Sequence, residues 1–125
     1  MKSALLGCKE EDMRPALAIV FAPAEEHVQF LSELFTQNGI IIFGISSFGQ
    51  FIDYEFDTDS IVVMLLEIDR HTFKIEFRET GESTTKEIAK SIGHAGKATF
   101  AKPTFVVASG GATRRLYSLD FYYNA

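Results

Sequence analysis

A chain of 125 residues has the length of one domain and can bury a core without disulfides. Its composition, 46% hydrophobic and 23% charged, is globular, and a net charge of −5 with scattered basic residues excludes the clustered basic face that nucleic acid needs. Cys8 is the single cysteine, so there is no internal disulfide and no cysteine metal motif, which suits a reducing cytoplasm.

Twelve phenylalanines without a tryptophan predict a large aromatic core, or in the alternative an aromatic-lined pocket. No stretch approaches the roughly 20 apolar residues of a membrane span, so direct membrane insertion is not expected. Residues 1–14 read as a loosely ordered, flexible leader. They are rich in charge, lack the apolar core of a signal peptide and end against Pro15.

The first predicted strand is Leu17–Phe21, apolar without alternation. Pro23 sits where a first helical position would be, with Glu25 and Glu26 in the favourable first turn. Val28, Leu31 and Phe35 recur at helical spacing up to Asn38, and Gly39 is a natural residue to stop that helix. Ile40–Phe43 is too short for a helix and reads as a strand buried on both faces. Strand, helix and strand in about thirty residues predict a βαβ unit with a right-handed crossover.

Gly44 and Gly49 frame Ile45, Ser46, Ser47 and Phe48 in a small polar bend after that strand. Beyond it the periodicity changes. Phe51, Tyr54 and Phe56 are interleaved with Asp53, Glu55 and Asp57, and Asp57–Ser60 is a turn cluster. Ile61–Ile68 is the longest apolar run and predicts a central strand. Phe73, Ile75 and Phe77 alternate with Lys74, Glu76 and Arg78, as in a half-buried strand. The three segments together predict an antiparallel meander.

Gly81 closes it. Thr84 and Glu87 have capping-box spacing and open a second helix, Thr85–Ala95, with Ile88, Ile92 and Ala95 on one side. Gly93 and Gly96 weaken its end. After Pro103, Thr104–Ala108 predicts a fifth strand that runs into Ser109, Gly110 and Gly111. In the tail 112–125, Phe121–Tyr123 would be costly to expose, and a second copy of the chain is expected to cover them or the open sheet edge. The fold class is therefore α/β, a single domain with a mixed parallel and antiparallel sheet and about two packing helices.

Ligands of open α/β sheets sit beyond the carboxyl ends of the strands. Two bends are candidates for that rim, giving Gly44, Ser46, Ser47, Phe48, Gly49, Ser109 and Gly110 as ligand-binding residues. Hydroxyls, backbone N–H groups and one apolar wall suit a small zwitterion or carboxylate. The rival reading is a turn whose serines bond local backbone. A catalytic serine is disfavoured, because Gly-x-Ser-Ser-x-Gly is one residue longer than a nucleophile elbow and a strand follows where a helix is required. His27, His71 and His94 have no metal spacing, and Asp53, Asp57 and Asp59 lack the glycine and terminal glutamate of a calcium loop. No catalytic residue, cofactor or metal is expected.

In its order of elements the chain resembles the FIST N-terminal sensory domain over about residues 15–111. The features that carry the resemblance are Leu17–Phe21, the helix ending at Gly39, the strand entering Gly44–Gly49, the run Ile61–Phe77, the helix Thr85–Ala95 and Thr104–Ala108. Gln50 stands where the resemblance leads one to expect an acidic residue. The resembling unit continues past residue 125, so the chain is expected to be a fragment or an abbreviated member. The resemblance implies a cytoplasmic, non-catalytic sensor of a small ligand, amino acids or related metabolites among them. It also implies coupling to a signalling output domain or protein in a bacterial-type system. The alternatives are an interaction or oligomerisation module without a small ligand and, third, a small α/β enzyme.

Overall fold

Leu17–Ala22 (β1) is the strand on which the larger sheet is built. In the computed structural model, which describes residues 2–23, 27–79 and 81–110, β1 is flanked by Ile41–Ser46 (β2) and Val62–Leu66 (β5) in the order β2-β1-β5. β1 and β2 run parallel with Leu17 opposite Ile41, and β1 and β5 run antiparallel with Leu17 opposite Leu66. A mixed sheet of an α/β protein is thus present, but its centre is β1. Ile61–Ile68, expected to be central, supplies an edge strand instead. An apolar run reports burial of side chains and not the number of strand neighbours, and so could not distinguish the two. β2 is likewise an edge strand, and Ile41 is 38% exposed rather than buried on both faces.

The chain divides into two compact units, Met1–Phe73 and Lys74–Ala125. In the first, alternation along the strands sorts side chains by face. Ala18, Val20 and Ala22 point the same way as Ile42, Val63 and Leu65, and against them pack Leu31, Phe35 and Ile40. Phe35 is fully buried, and each such large side chain contributes about 1.5–3 kcal/mol of burial.

Leu31 and Phe35 come from the helix Val28–Gln37 (α2), four residues apart on one stripe. The helix begins later than expected. His27 is its N-cap residue and Pro23 lies in a bend, not at a first helical position. Glu25 and Glu26 lie outside the described residues. The helix ends where expected. Gly39 takes a φ of 69°, its N–H donates to the Thr36 carbonyl at 3.0 Å and the Ile40 N–H to the Phe35 carbonyl at 2.9 Å. That pair of bonds is the Schellman arrangement, and the left-handed φ is why glycine stands there. The Arg70 guanidinium donates to the Gly39 carbonyl, placing a cation at the negative helix end.

Residues 1–14, expected as a loose leader, contain the helix Lys2–Glu10 (α1), whose Leu5 packs against the core cluster. A short apolar group that finds a core is enough to order a segment otherwise read as polar.

Between β2 and β5 lies a two-stranded hairpin, Gln50–Ile52 (β3) and Glu55–Asp57 (β4), with Ile52 opposite Glu55. Asp53 opens the connecting turn at a φ of 52°. The meander expected through Ile61–Arg78 is therefore not formed, because β3 pairs with β4 and β5 pairs with β1.

In the second unit, residues 74–79 are not in a strand ladder. Their alternation is instead satisfied by charge. Lys74 and Arg78 flank Glu76 at 2.6 and 2.9 Å, and the hydrogen bond from Lys74, with both positive charges, holds the Glu76 carboxyl below its ordinary range. The helix Thr85–Thr99 (α3) opens with the expected capping box of Thr84 and Glu87 and runs through Gly93 and Gly96, past the predicted end at Ala95. Thr104–Ala108, the expected fifth strand, forms no strand, and Phe105 is 81% exposed. Gly111 and the tail 112–125 with Phe121–Tyr123 lie outside the described residues.

Candidate functional site

The candidate bend starts later than its sequence suggests. Gly44 is a β2 residue opposite Val20, and Ser46 is the last residue of β2, opposite Ala22. The ladder's final bond runs from the Ser47 N–H to the Ala22 carbonyl at 2.9 Å. Ser47 then turns the chain. Its hydroxyl donates to the Gly49 carbonyl at 2.7 Å and accepts weakly from the Gly49 N–H at 3.4 Å. A Ser47 oxygen bound to local backbone is occupied by the fold. Phe48, at the tip, is almost entirely in solvent. The aromatic wall expected there is not formed.

Gly49 has a different role from conformational freedom. A side chain carbon on it would lie 2.7 Å from the Cε2 and Cζ atoms of Phe56, so glycine here lets the Phe56 ring lie against the bend.

The residue after Gly49 is the unusual one. Gln50 is buried to 3% exposure, the one buried polar side chain among the described residues. Its Nε2 donates to the Ser47 carbonyl at 3.1 Å, while Oε1 is buried and has no partner among the described residues. A buried acceptor without a donor costs about 1–3 kcal/mol, so natural cores avoid it.

Gln50 also lines a groove of about 410 Å³ on the hairpin. The register explains its chemistry. Gln50 faces Asp57 across the ladder and Ile52 faces Glu55, so these four share one face of the hairpin. Ser60 and Val62 complete that side of the groove. The Asp57 carboxylate is held in place by the Ser60 hydroxyl and, at 3.1 Å, the Asp59 N–H. The Ser60 hydrogen bond, followed by that from Asp59, lowers the Asp57 pKa and keeps it ionised. Among the described residues the ion pairs are those of Glu76, so neither Glu55 nor Asp57 has a cationic partner.

Of the expected site residues, Gly44, Ser46, Ser47, Phe48 and Gly49 are thus contiguous but divided between a strand and a self-contained turn. Ser109 and Gly110 belong to the second unit, in an exposed stretch without regular structure. The rim they were expected to share required Thr104–Ala108 as a strand, and that strand is not formed. Gln50, Glu55 and Asp57 were not among the residues expected to bind a ligand. Their signal was the alternation from Gln50 to Asp57, once Asp53 and Tyr54 are taken as a two-residue hairpin turn.

No group of three or more metal-ligating side chains comes together among the described residues, and no described helix is long and apolar enough to cross a membrane. No family model, curated protein or solved structure matches the chain.

Proposed function

We propose that the chain is a non-catalytic, small-ligand-binding domain of a cytoplasmic signalling protein, the role that its resemblance to FIST N-terminal domains implies. The observation that supports this reading is Gln50, a buried polar side chain that lines the hairpin groove and whose carbonyl oxygen has no partner among the described residues. An acceptor held at a cost to stability is the kind of local conflict that binding sites display. The Ser47 hydroxyl, committed to the Gly49 backbone, supports a binding role over a nucleophilic one. A thermal-shift screen of the full chain against amino acids and other small metabolites tests the proposal. A saturable rise in Tm, lost in Gln50→Met, is expected. No shift with any compound overturns it.

A second reading, an interaction or oligomerisation module, is favoured by a separate observation. Phe51, Tyr54 and Phe56 on the hairpin, and Phe48 in the bend before it, are all at least 70% exposed, and apolar exposure on that scale marks contact surfaces. A dimer by light scattering that dissociates in Phe51→Ser, together with an empty ligand screen, would select this reading.

A further inference from the structure

β2 has an unguarded outer edge. It lies outermost in the order β2-β1-β5, and the chain leaves it on the other side: the Ser47 N–H bonds back to Ala22 of β1, and β3 comes to lie beside β5. The bonds from the Ile41 N–H to the Ala16 carbonyl and from the Ser47 N–H to the Ala22 carbonyl fix which backbone groups face β1. By the alternation of a strand, the N–H and C=O groups of Ile42, Gly44 and Ser46 point away from it. Among the described residues no strand receives them, and Gly44 and Ser46 are exposed. Natural edges are guarded by charge, proline or a bulge. Ile41–Ser46 has neither charge nor proline, and its register with β1 runs without a bulge.

The strand is also self-complementary. Laid antiparallel to a copy of itself with Gly44 opposite Gly44, it brings Ile42 opposite Ser46, so every outward-facing backbone group is paired. Phe43 then meets Ile45 on the other face, an aromatic and β-branched pair of the kind that stabilises sheets. The residue on the two-fold axis has no side chain, and no atom lies within 4 Å of where its Cβ would be. A closed pair about such an axis is the commonest form of assembly.

We propose that β2 is the interface of a homodimer, pairing with β2 of a second copy about a two-fold axis at Gly44 and joining two three-stranded sheets into one. The inference gives the oligomerisation reading a surface distinct from the hairpin, and it is independent of ligand binding.

The test uses the full chain. Sedimentation equilibrium is expected to show a monomer–dimer equilibrium, and the Gly44 and Ser46 amides should be protected from hydrogen exchange at high concentration and lose that protection on dilution. Gly44→Lys, whose side chain enters open space in the single chain, should be monomeric, because two like charges would meet on the axis. Its Tm should equal that of the parent chain when both are dilute enough to be monomers. Met64→Lys puts the same charge at an exposed position of β5 and should leave the dimer intact. A chain that stays monomeric at millimolar concentration overturns the proposal, as does a dimer that survives Gly44→Lys or is lost equally in Met64→Lys. A dimer that Phe51→Ser dissociates and Gly44→Lys does not would overturn it in favour of the hairpin surface.

Discussion

Gln50 is the residue whose cost can be measured. Replacing it with Met deletes one hydrogen bond to Ser47, worth about 0.5–1.5 kcal/mol, and also deletes an unsatisfied buried acceptor that costs about 1–3 kcal/mol. The second magnitude is the larger, so Gln50→Met is expected to leave stability unchanged or raise it in chemical denaturation, while ligand binding falls. A clear loss of stability would mean that the oxygen has a donor in solution and is not an orphan. Asp53 makes a contrasting case. At a φ of 52° a β-branched side chain is strained, so Asp53→Val should destabilise the hairpin by about 1–2 kcal/mol, whereas Asp53→Gly should not. Thermal melts of the two variants separate backbone strain from loss of the carboxylate. At Gly49 the neighbour is the far end of the exposed Phe56 ring, which can swing aside. Gly49→Ala should therefore cost under about 1 kcal/mol and appear chiefly as changed Phe56 ring shifts by NMR. Of these three positions the sequence marked only Gly49 as a site residue. Glutamine in a polar bend has no signature of burial, and an Asp-Tyr turn lacks the Asn-Gly or Asp-Gly signal of a tight hairpin.

Among the elements, those closed by local chemistry were legible, whereas those closed by distant partners were legible only in part: the parallel β1–β2 pair of the βαβ unit is formed as expected, but other pairings differ. Gly39 after the Leu31–Phe35 stripe marks the end of α2, and Thr84 with Glu87 marks the start of α3, because both signals act within one turn. Strand pairing is decided far along the chain. Ile61–Ile68 and Thr104–Ala108 look alike as apolar runs, yet the first finds β1 and the second forms no strand. The α3 cap gives a prediction with a sign. The Thr84 backbone N–H, followed by its hydroxyl, donates to the Glu87 carboxylate and lowers its pKa. A depressed carboxyl contributes stability that is complete above its unfolded pKa and disappears as pH falls through the folded value. The α3 amides should therefore exchange faster only as pH falls below the ordinary glutamate range, with no loss between neutral pH and that point. Thr84→Ala should weaken the helix by about 1 kcal/mol at neutral pH, read from the same amides.

At the scale of the whole molecule, stability is unequally shared. Every buried side chain among the described residues lies between Ala16 and Gln50, and α3 buries none. The first unit holds the β2-β1-β5 sheet, α2 with Phe35 and Leu31 beneath it, and the entire hairpin groove. A chain of that length is near the lower limit at which one hydrophobic core suffices, about 3–5 kcal/mol of net stability. We therefore expect residues 1–73 expressed alone to unfold cooperatively with a modest free energy. Phe35→Ala, at about 3–5 kcal/mol, should consume all of it. The same fragment should retain the ligand response of the full chain, since Gln50, Glu55 and Asp57 are all within it. Urea titration followed by circular dichroism gives the first result and the metabolite thermal-shift screen, repeated on the fragment, the second. A fragment with no cooperative transition would mean that the core at Phe35 depends on residues beyond Phe73. A folded fragment that no longer responds to a ligand the full chain binds would place the site elsewhere than in the groove.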